Sequence, residues 1–183
     1  MDQMKQDLLD RIPEFNEIRD ESLRDKVIDT WIDAHKRGGW TPQQLDRFPF
    51  SLLIEGLDVS FLEHIRACAK MSATVCDLLL EHYGEKLKLD RDILMAGTLI
   101  ADVGKLLEYQ PDEDQGAKKA EHGTFLRHPF SSVALGWERG IPDAALHIAA
   151  VHSKEGAHFP RTPEAIIFHH VDFIDFQVFG GGY

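Results

Sequence analysis

Met95-Ala96-Gly97-Thr98-Leu99-Ile100-Ala101-Asp102-Val103-Gly104-Lys105-Leu106 is the stretch on which the fold turns. From Ile93 to Val103 only Thr98 and Asp102 are polar. A helix that is apolar on every side belongs inside a core. An aspartate in such a run must be paired or must bind metal, because an unpaired buried carboxylate is very costly. A buried ion pair, for instance with Lys105, satisfies that demand. Metal ligation satisfies it too, and the histidines elsewhere in the chain favour it.

Helical spacing extends outward from this stretch in both directions. Residues 1–12 read as a short helix stopped by Pro13. Leu23, Val27, Trp31 and Ala34 share one face of a helix that ends at Gly38-Gly39. Thr41-Pro42 opens a short helix. A long helix runs from about Ser60 to His82, and the one capped by Asp90 is expected to continue to about Tyr109. The polar stretch Gln110–Gly123 reads as a mobile loop. Helices at about 128–139 and 142–153 follow, with Gly140 between them and a turn over 154–161. Thr162-Pro163-Glu164 opens the last helix, to about Phe179, before a glycine tail. Segment 48–57 is compatible with helix or extended chain. The expected fold is therefore all-α, one domain over 1–183 with seven or eight helices. Residues 1–58 form an N-terminal helical extension and 59–179 the core.

Composition narrows the function classes. The 183 residues suit one domain, and the 43% hydrophobic content is ordinary for a globular chain. No apolar run approaches the roughly 20 residues that span a bilayer. Met1-Asp2-Gln3-Met4-Lys5-Gln6-Asp7 has no signal-type apolar stretch, so a cytoplasmic address is expected. The 20 Lys+Arg against 31 Asp+Glu give a net charge of -11. That balance disfavours nucleic acid, whose binders neutralise phosphates with a basic surface. A small substrate fits better, and a homo-oligomer is compatible. Cys68 and Cys76, about 12 Å apart along one helix, are too distant for a disulfide and read as reduced core residues.

Ten histidines are many for this length. His64 heads a stripe of 64, 68, 71 and 75, with Cys68, Met71 and Val75, and so points inward. A core histidine bonded to a backbone carbonyl has the same pattern. His128 opens a helix as Arg127-His128-Pro129, His152 ends another, and Asp172 interrupts an apolar run. His170 and Asp175 read as structural, His35, His82 and His158 as surface groups, and His147 as ambiguous.

In this order the chain resembles the HD-domain metal-dependent phosphohydrolases, whose pattern is H…HD…H…H…D. The resemblance covers about Phe61 to Phe179. It is carried mainly by LIADVGKLLEY at 99–109 and AVHSKEG at 150–156. It implies His64, Asp102, His128, His152 and Asp172 as metal ligands, with Asp102 bridging two ions. It implies one or two divalent ions of Mn, Fe, Ni, Zn or Mg, and a small phosphorylated molecule or nucleotide as substrate. Imidazoles and carboxylates suit those metals, and a metal-activated water is the expected nucleophile. Asp102 and Lys105 would be catalytic, with Lys105 and Lys154 binding substrate. His122 would be the general acid, or else an ordinary loop histidine.

The departure is Ala101, where the family has the histidine of its His-Asp pair. Alanine has no lone pair, so metal binding and turnover should be impaired. Deliberate replacement and natural degeneration are the two explanations. The intact remaining ligands favour the first. An HD-type di-iron oxygenase and a non-catalytic ligand-binding module remain as alternative readings.

Overall fold

In the computed structural model, which describes residues 3–54 and 56–182, helix α1 (Gln3–Arg11) precedes α2 (Glu21–Gly38) and the short α3 (Pro42–Leu45). Next come α4 (Phe61–Tyr83), α5 (Arg91–Ala101) and the single turn α6 (Lys105–Glu108). Strands β1 (Tyr109–Asp112) and β2 (Gly116–Lys119) follow, then α7 (Glu121–Phe125), α8 (His128–Glu138), α9 (Asp143–Val151) and α10 (Pro163–Val178). The parts of the sequence reading that fall on Met1, Asp2, Glu55 and Tyr183 lie outside the described residues. The fold is all-helical apart from one small antiparallel hairpin. Among the described residues no helix is long and apolar enough to cross a membrane.

Helix α5 is the axis of the molecule. Asp90 caps its start by accepting from Ile93 N. Every residue from Leu94 to Ala101 is buried, and α2, α4, α8, α9 and α10 pack around it. Gly97 makes the closest of these packings possible, since a Cβ there would meet the Ile148 side chain at 2.5 Å. The buried apolar side chains form one continuous cluster from Leu8 in α1 to Val171 in α10.

The helix does not continue to Tyr109. It stops at Ala101, and its last turn tightens as Val103 N bonds Ile100 O at 3.2 Å. A helix that ends inside the core leaves carbonyls that need donors. Trp31 Nε1 donates to Leu99 O at 2.7 Å and Ser132 Oγ to Ala101 O at 2.8 Å. Trp40 Nε1 donates to Leu106 O at 2.9 Å. Gly104 lets α8 approach this turn, because a Cβ would lie 2.3 Å from His128 O. The break thus places Asp102 at a fixed, buried corner.

Four further expectations need correction. The stretch read as a mobile loop, 110–123, is ordered. Asp112 Oδ1 accepts from Asp114 N and Gln115 N, Gly116 takes a φ of 78°, and Ala117 is buried. Those contacts close the β1–β2 turn and dock the hairpin. The inward face of α4 carries Ile65, Cys68, Ala69, Ser72 and Cys76, whereas Val75 is exposed. His35 is buried rather than a surface group, because α2 presents it inward with Thr30, Trp31 and Ala34. The described residues of segment 48–57 form neither helix nor strand. They are irregular, tied by Phe50 N to Val59 O at 2.9 Å and by a bridge between Pro49 and Ser60.

The indole of Trp31 should therefore matter beyond its volume. Trp31→Phe leaves the buried Leu99 carbonyl without a donor and should cost about 1–3 kcal/mol. Urea denaturation followed by circular dichroism measures it. An unchanged midpoint would show that the α5 terminus does not depend on this bond.

Candidate metal centre and its cavity

Four helices bring side chains to Asp102, which follows directly on α5. His64 comes from the first turn of α4, His128 from the first residue of α8, His152 from the residue after α9 and Asp172 from α10. His64 Nε2 lies 3.0 Å from Asp102 Oδ2 and 3.3 Å from Asp172 Oδ1. His128 Nε2 and His152 Nε2 lie 3.2 and 3.6 Å from Asp102 Oδ1. Asp102 thus faces different imidazoles with its two oxygens. The side chains His64, Asp102 and Asp172 form one group of donor atoms within 4.8 Å of one another, and Asp102, His128 and His152 form a second. Asp102, His64, His128 and His152 are all buried.

Each imidazole is oriented by its other nitrogen. His64 Nδ1 lies 2.7 Å from Asp175 Oδ2, and His128 Nδ1 lies 2.9 Å from Glu108 Oε2. His152 Nδ1–H donates to Ala149 O at 2.8 Å, since a carbonyl can only accept. A neutral ring that donates from Nδ1 keeps a lone pair on Nε2. All three Nε2 atoms point at Asp102, which is the arrangement a cation needs. The donor set of three imidazoles and two carboxylates therefore fits a divalent metal ion.

The protonation of these groups is set by burial and by their neighbours. Burial alone would push the Asp102 carboxyl up, but Lys105 and the surrounding histidines hold it well below the carboxylate range. Lys105 Nζ is 3.1 Å from Asp102 Oδ2, so the ion pair that the sequence offered as the alternative to metal ligation coexists with the histidine cluster. Burial disfavours charge on His64, yet Cys68 and the carboxylates of Asp102, Asp172 and Asp175 raise it above its ordinary value. Burial dominates at His128 and lowers it. Burial also pushes the Cys68 thiol up to about 11, which makes it a poor ligand.

A comparison with known proteins bears on this cluster. The chain is similar to the dihydroneopterin 2',3'-cyclic phosphate phosphodiesterase of Methanocaldococcus jannaschii. The two are 30% identical over 179 residues, which is 88% of this chain and 66% of that protein. The chain thus spans just under two thirds of the length of this relative. No family model and no solved structure matches.

The cluster opens into a cavity of about 330 Å³, within the usual range for small-molecule sites. Asp102, His128, His152 and Asp172 line it, with Lys105, Arg127 and Lys154 as its cations. Phe50, Tyr109, Phe173 and Phe176 give it aromatic walls. Phe50 stacks on His64 with ring centroids 4.0 Å apart. Arg127 is shared between Glu108, at 2.6 Å, and Glu155, at 3.0 Å. The Glu155 carboxyl is held at about 2, because bonds from Ser153, its own backbone and Arg127 outweigh its burial. Arg127 is thus held by two carboxylates of the cavity wall, whereas Lys105 stands beside Asp102.

His122 lies elsewhere. The short helix α7 turns its ring to Ser131, with Nε2 2.8 Å from Oγ, and it is not among the residues that line the cavity. Sequence reasoning also passed over Glu108 and took Asp175 as merely structural. Glu108 follows two leucines and carries no local sign of its role. Asp175 stands three residues after Asp172, so both reach the same face of α10. That spacing was the available signal.

Glu108 should affect any cation bound at Asp102 only indirectly, through His128. It accepts from His128 N at 2.7 Å, from the His128 ring and from Arg127. Glu108→Gln should weaken Mn2+ binding roughly 10–100-fold in calorimetric titration. Unchanged affinity would mean that the Glu108 contact does not orient His128.

Proposed function

We propose that this chain is an HD-type, metal-dependent phosphohydrolase that cleaves a phosphodiester in a small, ring-bearing molecule. The observation that carries this reading is the Asp102 carboxylate, shared between two imidazole groups and a lysine at the floor of the cavity. The phosphodiesterase named above supports the same reaction class and suggests a cyclic phosphate as the group attacked. Nucleic acid is a poor substrate for a chain of net charge -11 with so small a cavity.

Asp102, His128, His152, His64 and Asp172 would hold one or two divalent ions. A bound ion supplies Lewis-acid polarisation of a phosphoryl oxygen and lowers the pKa of water. The remaining work belongs to the protein. Lys105 places an ammonium beside Asp102, where it meets the negative charge that grows on the phosphoryl oxygens. Lys154, next to the turn that carries His152, pairs with the substrate phosphate at the cavity wall. Phe50, Phe173 and Phe176 exclude water and give a planar ring an apolar surface.

Ala101 limits this centre. It is wholly buried, and its carbonyl accepts from Ser132 Oγ. It offers no donor to the group formed by His64, Asp102 and Asp172.

The test is hydrolysis of 2',3'-cyclic phosphodiesters, including that of dihydroneopterin, by metal-free protein resupplied with Mn2+, Fe2+ or Co2+. Metal-dependent ring opening is expected. Asp102→Asn should lower kcat/KM by more than the roughly 10–100-fold typical of losing a ligand's partner. Ala101→His should raise both metal occupancy and turnover. If no metal restores hydrolysis of any phosphodiester, in either the present chain or Ala101→His, the phosphohydrolase reading fails.

A further inference from the structure

The two halves of the Asp102 site are not alike. At Oδ1 stand two imidazoles, His128 and His152, each with its Nδ1 already engaged. At Oδ2 stand one imidazole, His64, and the Lys105 ammonium at 3.1 Å. A metal ion held by His64, Asp172 and Asp102 Oδ2 would have to share that oxygen with a positive charge. Ammonium and dication repel strongly at such separations, the more so away from water.

Lys105 is not free to swing aside. Its side chain is only 14% exposed. Its Nζ lies 5.4 Å from the ring centroid of Phe50 and 5.6 Å from that of Phe61, a distance at which aromatic faces attract a cation. Ala101 adds no donor that would tip the balance back toward an ion. The histidine pair at Oδ1 has no such competitor among the described residues.

Resting on the phosphodiesterase reading above, we propose that this chain works with one divalent ion, held by Asp102, His128 and His152, and that the Lys105 ammonium stands in for a second cation. The lysine neutralises the Asp102 and Asp172 carboxylates and presents N–H donors to the phosphoryl group. Substrates that can pair with one ion and one ammonium, such as a cyclic phosphodiester monoanion, fit this arrangement better than a more highly charged polyphosphate chain.

Native mass spectrometry of metal-free protein titrated with Mn2+ counts the ions directly, without reference to activity. One ion per chain is expected. His128→Ala and His152→Ala should each weaken its binding by more than about 100-fold, and His64→Ala should keep it. Lys105→Met, similar in length and uncharged, should admit a second ion. Circular dichroism shows that each variant retains its helices. Two ions in the unaltered chain would overturn the inference, as would loss of the ion in folded His64→Ala, or a Lys105→Met protein that still stops at one. Two ions with phosphodiester hydrolysis intact would remove the one-ion account alone. One ion with no hydrolysis would uphold the count and remove the phosphodiesterase reading.

Discussion

Asp102 carries its charge at 2% exposure, at the broken end of a helix that is buried on every side. Desolvation at such a place is tolerated only where partners compensate it. Much of the structure can be read as supplying them. Lys105 follows on the next turn, and α4, α8 and α9 each deliver an imidazole. Tryptophans from α2 and the adjoining turn and a serine from α8 satisfy the carbonyls that the break exposes. Gly104 gives the room for α8 to come close.

The compensation is layered. Imidazoles alone would rotate, but Asp175, Glu108 and the Ala149 carbonyl hold their far nitrogens. Glu108 is itself held by Arg127, and Arg127 by Glu155. This outer ring takes residues from α10, α6, α9 and the turn after α9. A change at any of them should reach Asp102 and its imidazoles through geometry. The same layering explains why a cluster spread over most of the chain arrives as one site.

Much of the arrangement was legible in the sequence. The apolar run around Asp102 announced a buried carboxylate, and the inward histidines announced company for it. The helix starts expected at about Ser60, after the Asp90 cap and at Thr162-Pro163-Glu164 are all kept. The helix break after Ala101 was not legible, because nothing local shows that Gly104 must face the His128 carbonyl. The hairpin after Tyr109 was hidden by its polarity, which signals a loop unless the Asp112 turn and the buried Ala117 are known. Glu108 was invisible because its partners, Arg127 and His128, are distant in sequence. His122 had two readings in the sequence, a general acid or an ordinary loop histidine. A histidine in a polar stretch near the site invites a role in proton transfer, yet its ring faces Ser131. Arg127 and Phe50 gained their places only through tertiary packing.

Asp102 and the histidines around it are either a cation site, as proposed above, or a merely structural polar cluster. Anomalous diffraction from crystals grown with Mn2+ separates the two most directly. A strong peak bounded by Asp102 Oδ1, His128 Nε2 and His152 Nε2 is expected, with Lys105 still paired to Oδ2. Fully occupied Mn2+ sites elsewhere on the protein, with no peak at Asp102, would contradict the cation site.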